Sequence, residues 1–168
     1  MMTEEERIKM KNLLVPAPGW TIGDMQTGPN NLIMWLETLN GETAVWFAKL
    51  PCKIADLPED WTPGGGKVHS MLPLKFTGHS IEMFDARFDS SGKLVAIVVC
   101  TKLKNDWWYI RTWHDDGKGG IVGRIASQNF RPGHLIYFTN FGANVRVYVD
   151  DEKEIIYGPQ IVGEKELL

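Results

Sequence analysis

Asn40-Gly41 is the dipeptide that most narrows what this chain can become. Both residues tolerate φ > 0, as a tight type I′ turn requires, and this turn matches the twist of two antiparallel strands. The flanks, Asn31 to Leu39 and Glu42 to Leu50, carry strand-forming residues, so a β-hairpin is predicted there. Similar punctuation recurs. Ser80 to Asp89 alternates apolar and polar residues and leads through Ser90-Ser91-Gly92 into Lys93 to Lys104. That second segment contains Leu94, Val95, Ala96, Ile97, Val98, Val99 and Cys100 in succession, the pattern of a central strand covered on both faces. Further strands are predicted at Ile121 to Ala126, His134 to Asn140, Ala143 to Asp150 and Glu154 to Tyr157.

Helical signals are confined to the start. Thr3-Glu4-Glu5-Glu6 fits a capping box, in which the Thr hydroxyl accepts from N3 and Glu6 reaches back to the cap. A short helix over about Glu4 to Leu14 follows, with Met10, Leu13 and Leu14 on one side and Pro16 and Pro18 ending it. The expected architecture is therefore all-β: a single domain over 1–168, an antiparallel sandwich of jelly-roll type or a barrel, with one N-terminal helix. The longest stretch outside strands, Lys53 to Pro73, is long enough for a functional loop.

The final hairpin, N-V-R-V-Y-V-D-D-E-K-E-I-I-Y over 144–157, resembles the strands that close many jelly-roll and concanavalin-like sandwiches. The resemblance spans about 15 residues and implies an architecture alone. The galectin sugar-binding pattern is not present in His79 to Phe88.

The candidate binding residues lie in N-D-W-W-Y-I-R-T-W-H, Asn105 to His114. As a strand it puts Trp107, Tyr109, Arg111 and Trp113 on one face, and Trp108, Ile110 and Thr112 on the other. Three rings and a cation in a row suit a flat or anionic ligand. Arg87 with Asp85, and Arg146 with Tyr148, form comparable rows, which would widen the site if the strands were neighbours on one face. The alternative is an outer face with cross-strand ion pairs, or a subunit contact. Two glycine loops, Pro63-Gly64-Gly65-Gly66-Lys67-Val68-His69 and Gly117-Lys118-Gly119-Gly120 with Arg124, offer converging N–H groups to an anion, or simply turns. Lys67 is the candidate lid residue.

Catalytic and metal signatures are missing. The four histidines, His69, His79, His114 and His134, fall in no metal-ligand spacing, and neither Cys52 nor Cys100 sits in a C-x-x-C pair. No G-x-S-x-G elbow occurs; Glu37, Glu82 and Asp85 are carboxylates whose separation the sequence leaves open. No cofactor is expected.

A net charge of −3 argues against an extended nucleic-acid partner, and no run is apolar enough for a membrane span. Two cysteines and no secretory signal at the start fit buried thiols in the cytoplasm. The function expected is non-catalytic binding of a small polar or anionic ligand, best a nucleotide, with Trp107, Tyr109 and Trp113 stacking. Arg111, Arg87 and Arg146 would meet phosphate, and sequestration of a nucleotide signal fits such a site. A carbohydrate-binding jelly roll using Asp85, Asn105 and Asp106, and a structural or viral assembly protein, are the alternatives. Homo-oligomers are expected in either the binding or the assembly role, because Trp, Tyr and Arg are enriched at interfaces.

Overall fold

The computed structural model describes residues 2–70, 79–103, 107–115, 118, 120–128, 137–140, 145–150 and 153–157; at Val122 and from Arg124 onward it describes the backbone course alone. The fold is all-β with a short N-terminal helix. The chain divides into two compact units, Met1–Ser70 and Met71–Leu168.

The first unit opens with α1 (Glu4–Leu13), capped as the sequence predicts: Thr3 Oγ1 accepts from Glu6 N–H at 3.1 Å, and Glu6 Oε1 accepts from Thr3 N–H at 2.8 Å. Leu14 is already extended, so the helix ends one residue before the predicted bound. Ten residues are marginal as an isolated helix. Docking holds it, through buried Met10, Leu13 and Leu14 at about 2 kcal/mol each. These side chains join Met25, Ile33, Trp35, Ala48 and Leu50 in one apolar cluster.

Beneath the helix lies a four-stranded antiparallel meander: β1 (Thr21–Thr27), β2 (Leu32–Leu39), β3 (Glu42–Lys49) and β4 (Val68–His69), in that order. The β2–β3 hairpin turns at Asn40 (φ 50°) and Gly41 (φ 83°), both left-handed as expected. Its register runs unbroken from Leu32 opposite Lys49 to Leu39 opposite Glu42. The edge at β1 is irregular. Its pairing shifts between Ile22 and Met25, and Arg7 of α1 donates to the Met25 carbonyl at 2.8 Å while contacting Asp24 at 3.2 Å. The stretch predicted to lie outside strands, Lys53 to Pro73, holds two 3-10 turns, Ile54–Asp56 and Gly64–Gly66, and also the short strand β4.

The second unit holds another four-stranded meander: β5 (Ser80–Phe88), β6 (Leu94–Lys102), β7 (Trp108–Asp115) and β8 (Ile121–Gln128). β6 is an interior strand, and Ala96, Ile97, Val98, Val99 and Cys100 are all fully buried, so both faces are covered as its composition implies. The β5–β6 turn is held by Asp89, whose Oδ1 accepts from Ser91 N–H, Ser91 Oγ–H and Lys93 N–H. These bonds, led by the Ser91 hydroxyl, keep the Asp89 carboxyl below its ordinary pKa. A three-stranded sheet, β9 (Tyr137–Asn140), β10 (Val145–Asp150) and β11 (Lys153–Tyr157), follows in the order β11-β10-β9, with β9 close to β5.

None of the three sheets closes on itself, which removes the barrel alternative in favour of open antiparallel sheets. Both cysteines are free thiols; Cys100 is buried, whereas Cys52 is only partly so. No helix among the described residues is long and apolar enough to cross a membrane.

Candidate functional site

Strand pairing decides which side chains share a face, because residues opposite one another in an antiparallel ladder point the same way. Arg111 lies opposite Val99, which lies opposite Phe84; Trp113, Ile97 and Ala86 form the next row, and Tyr109 and Thr101 the row on the other side. Tyr109, Arg111 and Trp113 therefore share one face, as alternation predicts. The Arg87 row falls elsewhere. Arg87 pairs through Ala96 with His114, and Asp85 through Val98 with Thr112, so Arg87 and Asp85 occupy the opposite face of the sheet.

That opposite face is polar and internally engaged. Asp85 is fully buried, its Oδ2 is 3.0 Å from Arg87 Nη1, and its Oδ1 accepts from Ala86 N–H at 2.8 Å. His114 donates from Nδ1 to the Asp115 carbonyl at 3.1 Å. Trp108 is half-buried on this side, with the Lys102 ammonium 5.3 Å from its ring centroid.

On the first face, exposure falls steadily along the strand. Trp107, just before β7 at the β6–β7 hairpin end, is 40% exposed; Tyr109 is half-buried; Arg111 is 2% exposed and Trp113 fully buried. Trp113 is thus a core residue. The partly exposed imidazole of His79 covers the guanidinium: Arg111 Nη2 lies 2.9 Å from His79 Nε2, and His79 Nδ1 lies 2.8 Å from Thr101 Oγ1. The Tyr109 ring packs edge-on to His79 at 5.2 Å, and its centroid is 5.8 Å from Arg111 Cζ.

Proton counting fixes the state of this trio. A guanidinium has donors only, so His79 Nε2 accepts. The imidazole is then neutral, carries its hydrogen on Nδ1, and donates to Thr101. With no lone pair left for the Thr101 proton, His79 does not activate that hydroxyl as a nucleophile. Burial, then the adjacent Arg111 charge, lowers the pKa of His79 and favours the same neutral form. Burial also pushes the Arg111 pKa down, with Tyr109 acting in the other direction; arginine nevertheless stays charged.

Lys67 has a different setting, in the first unit. Its ammonium donates to the Val15 carbonyl at 3.0 Å, sits 4.4 Å from the Trp46 centroid, and lies 4.0 Å from Glu37 Oε2. Glu37 is completely buried and accepts from Trp35 Nε1 at 2.9 Å and Ala17 N–H at 2.8 Å. The lysine of the glycine loop thus fastens that loop to the sheet. Nothing in the local sequence announced Glu37 as its partner, and His79 was visible only as a histidine outside any motif.

The first unit also bears an open cleft of about 490 Å³, lined by Asn31, Lys49, Pro51, Trp61, Thr62 and Pro63 among others. It adjoins two consecutive left-handed residues, Asn30 (φ 57°) and Asn31 (φ 61°), of the residue type that best tolerates that conformation. Trp61 belongs to the long loop singled out in the sequence.

Of the remaining sequence candidates, Asn105 and Asp106 and the side chains of Arg146, Tyr148 and Arg124 lie outside the described residues. Among the described residues no group of three or more His, Cys, Asp or Glu is placed to hold a metal ion. No family model, curated protein or solved structure matches the chain, so these side chains alone carry what can be said of its chemistry.

Proposed function

We propose that this chain is a non-catalytic binding protein for a small anionic ligand with a stackable ring, for which a nucleotide fits best, held at the β6–β7 end of the second unit. The supporting observation is the gradient from exposed Trp107 through half-buried Tyr109 to the buried guanidinium of Arg111. A ring stacks at the mouth, and base–aromatic stacking contributes about 1–3 kcal/mol. An oxyanion meets a desolvated, forked donor below it, where charge-assisted bonds are strongest. Relative to the sequence reading, the site narrows: Trp113 supports it from the core, and Arg87 and Lys67 have other partners.

The carbohydrate alternative loses Asp85, which is buried against Arg87 and the Ala86 N–H. A subunit contact retains one specific support, the exposed Trp107 beside half-buried Trp108.

A thermal-shift screen of mono- and cyclic nucleotides against mono- and oligosaccharides tests the proposal. A ligand at about 100 times its Kd stabilises by about 2.7 kcal/mol, a rise of a few degrees. The expected result is a nucleotide response that Arg111→Met abolishes. Silence from nucleotides overturns the proposal, and concentration-dependent sedimentation lost in Trp107→Ala would then favour the subunit contact.

A further inference from the structure

Four places in the molecule combine shape or burial with chemistry: the Glu37–Lys67 hub, the Asp85–Arg87 pair, the Arg111–His79 contact and the cleft at Trp61. In the first two, opposite charges already face each other. The third belongs to the site proposed above. The cleft stands apart, wholly within the first unit.

Two walls of different origin form it. One is the open end of the β2–β3 hairpin, where Leu50 N–H donates to the Asn31 carbonyl at 2.7 Å and Lys49 stands opposite Leu32. The other is Trp61-Thr62-Pro63. This span links a turn closed by Trp61 N–H on the Pro58 carbonyl to a turn closed by Gly66 N–H on the Pro63 carbonyl. It is fastened on both sides. Before it, Lys9 Nζ donates to the carbonyls of Ala55 and Leu57 at 3.2 and 2.7 Å; after it, Lys67 Nζ donates to the Val15 carbonyl. Trp61 itself packs against the apolar cluster, so this wall holds its place without a ligand. The volume of about 490 Å³ falls in the range of small-molecule sites, about 300–1,000 Å³.

The lining narrows the ligand. The indole of Trp61 and the rings of Pro51 and Pro63 offer flat apolar surface. Lys49, Asn31 and Thr62 line the same space, and their side chains have no hydrogen-bond or ionic partner among the described residues. At Asn31 the φ of 61° lies where glycine is least strained. Asn is tolerated there chiefly because its side chain bonds the local backbone, yet this one makes no such bond. No acidic residue lines the cleft, so a hydroxyl-rich ligand would lack its strongest acceptor, whereas one ammonium suits one negative charge. The loop that carries the second wall, Pro51 to Pro63, sets one cation, Lys53, against three carboxylates, Asp56, Glu59 and Asp60. That balance disfavours a doubly charged phosphate. We propose that this cleft binds a small monocarboxylate with a flat apolar body. The body lies against Trp61 and the prolines, and the carboxylate meets Lys49 and the Asn31 amide. This is a second site, independent of the nucleotide site in the other unit.

Phenylacetate is the probe, and phenylacetamide, of the same shape without the charge, is its control. Binding is read by NMR on the indole N–H of Trp61, assigned with Trp61→Phe, at about pH 7.5, where a carboxylic acid is ionised. The expected result is a saturable shift below about 10 mM phenylacetate. The amide should bind about two- to fivefold more weakly, the range of one exposed ion pair. Lys49→Gln should bring phenylacetate down to the level of the amide. Asn31→Gly should weaken binding about threefold, as for one lost hydrogen bond. It should change the melting temperature little, because relief of the left-handed backbone offsets the greater freedom of the unfolded chain. No saturable shift, equal affinity for acid and amide, or an affinity unchanged in either variant overturns the inference. Phenyl phosphate bound more tightly than phenylacetate overturns it too. Arg111→Met keeps the two proposals apart: phenylacetate binding should survive in that variant, and its loss there would place the ligand in the second unit and overturn the cleft.

Discussion

Glu37 in the first unit and Arg111 in the second are both buried charges on β-strands, yet they are handled in opposite ways. Glu37 receives an indole N–H, a backbone N–H and an ammonium, so its charge and its lone pairs are answered by groups of the right sign. Arg111 donates to a neutral imidazole, which accepts that hydrogen bond at 2.9 Å. Burial disfavours either ion, and a partner of opposite sign is the usual remedy. The difference lies between a carboxylate tied into three parts of one unit and a guanidinium covered by a partly exposed ring. The hub fastens the N-terminal segment, the sheet and the glycine loop at one carboxylate.

The largest effect should come from breaking the hub. Glu37→Ala leaves Trp35 Nε1–H and Ala17 N–H without their acceptor, and we expect a loss of about 3 kcal/mol in chemical denaturation. Lys67→Met removes the cation alone; its ammonium is partly exposed and 4.0 Å away, so a loss nearer 1 kcal/mol is expected. A larger loss for Lys67→Met than for Glu37→Ala would invert the roles assigned to the pair. Arg111→Met tests the proposed binding role from the other side: a long apolar chain keeps much of the volume of the desolvated guanidinium, so the fold should persist while the nucleotide response disappears. A collapse of the fold in Arg111→Met would make Arg111 a structural charge like Glu37.

Acidification supplies a third comparison. His79 has a lowered pKa in the folded protein, so at a given pH near its titration the unfolded chain binds more protons. Its contribution to stability is complete above the unfolded value of about 6.5 and is lost as pH falls through the lower folded value. Denaturation midpoints should therefore drop on the acid side of that range and drop less in His79→Gln, whereas a wild-type curve overlying that of the variant would remove His79 from the balance. The smallest effect is expected at Trp107. Trp107→Ala should alter stability by no more than about 0.5 kcal/mol, as for an exposed position, while weakening a stacked ligand measurably.

What the sequence made legible was local. The Asn40-Gly41 hairpin, the Thr3 capping box, the interior position of β6 and the common face of Tyr109, Arg111 and Trp113 each follow from neighbours a few residues apart. What the sequence left open has two causes, strand register and contact between distant segments. Pairing between β5 and β6 shifts between Ile81 and Met83 and again between Arg87 and Phe88. A one-residue slip sends every side chain to the other face, so Arg87 could not be assigned beside or behind Arg111 without knowing the pairing. His79 and Arg111 are 32 residues apart, and Lys67 and Val15 are 52 apart; such contacts leave no periodic trace. The glycines before Lys67 suggested an external anion, and the structure places its ammonium 4.0 Å from the buried carboxylate of Glu37.

The guarded edge of β1 bears on how the first unit behaves in a crowded solution. A bare strand edge is a template on which another chain can add, and such addition is a common start to aggregation. Here the register irregularity at Ile22–Met25 interrupts the template, Arg7 occupies the Met25 carbonyl, and Gln26 Oε1 accepts from the Met2 backbone N–H at 3.1 Å. On the other side the edge strand β4 is two residues long and pairs with Trp46 and Phe47 of β3. At the β1 edge the long, regular ladder that fibril growth needs is interrupted, so α1 protects the chain from its own kind as well as completing a core.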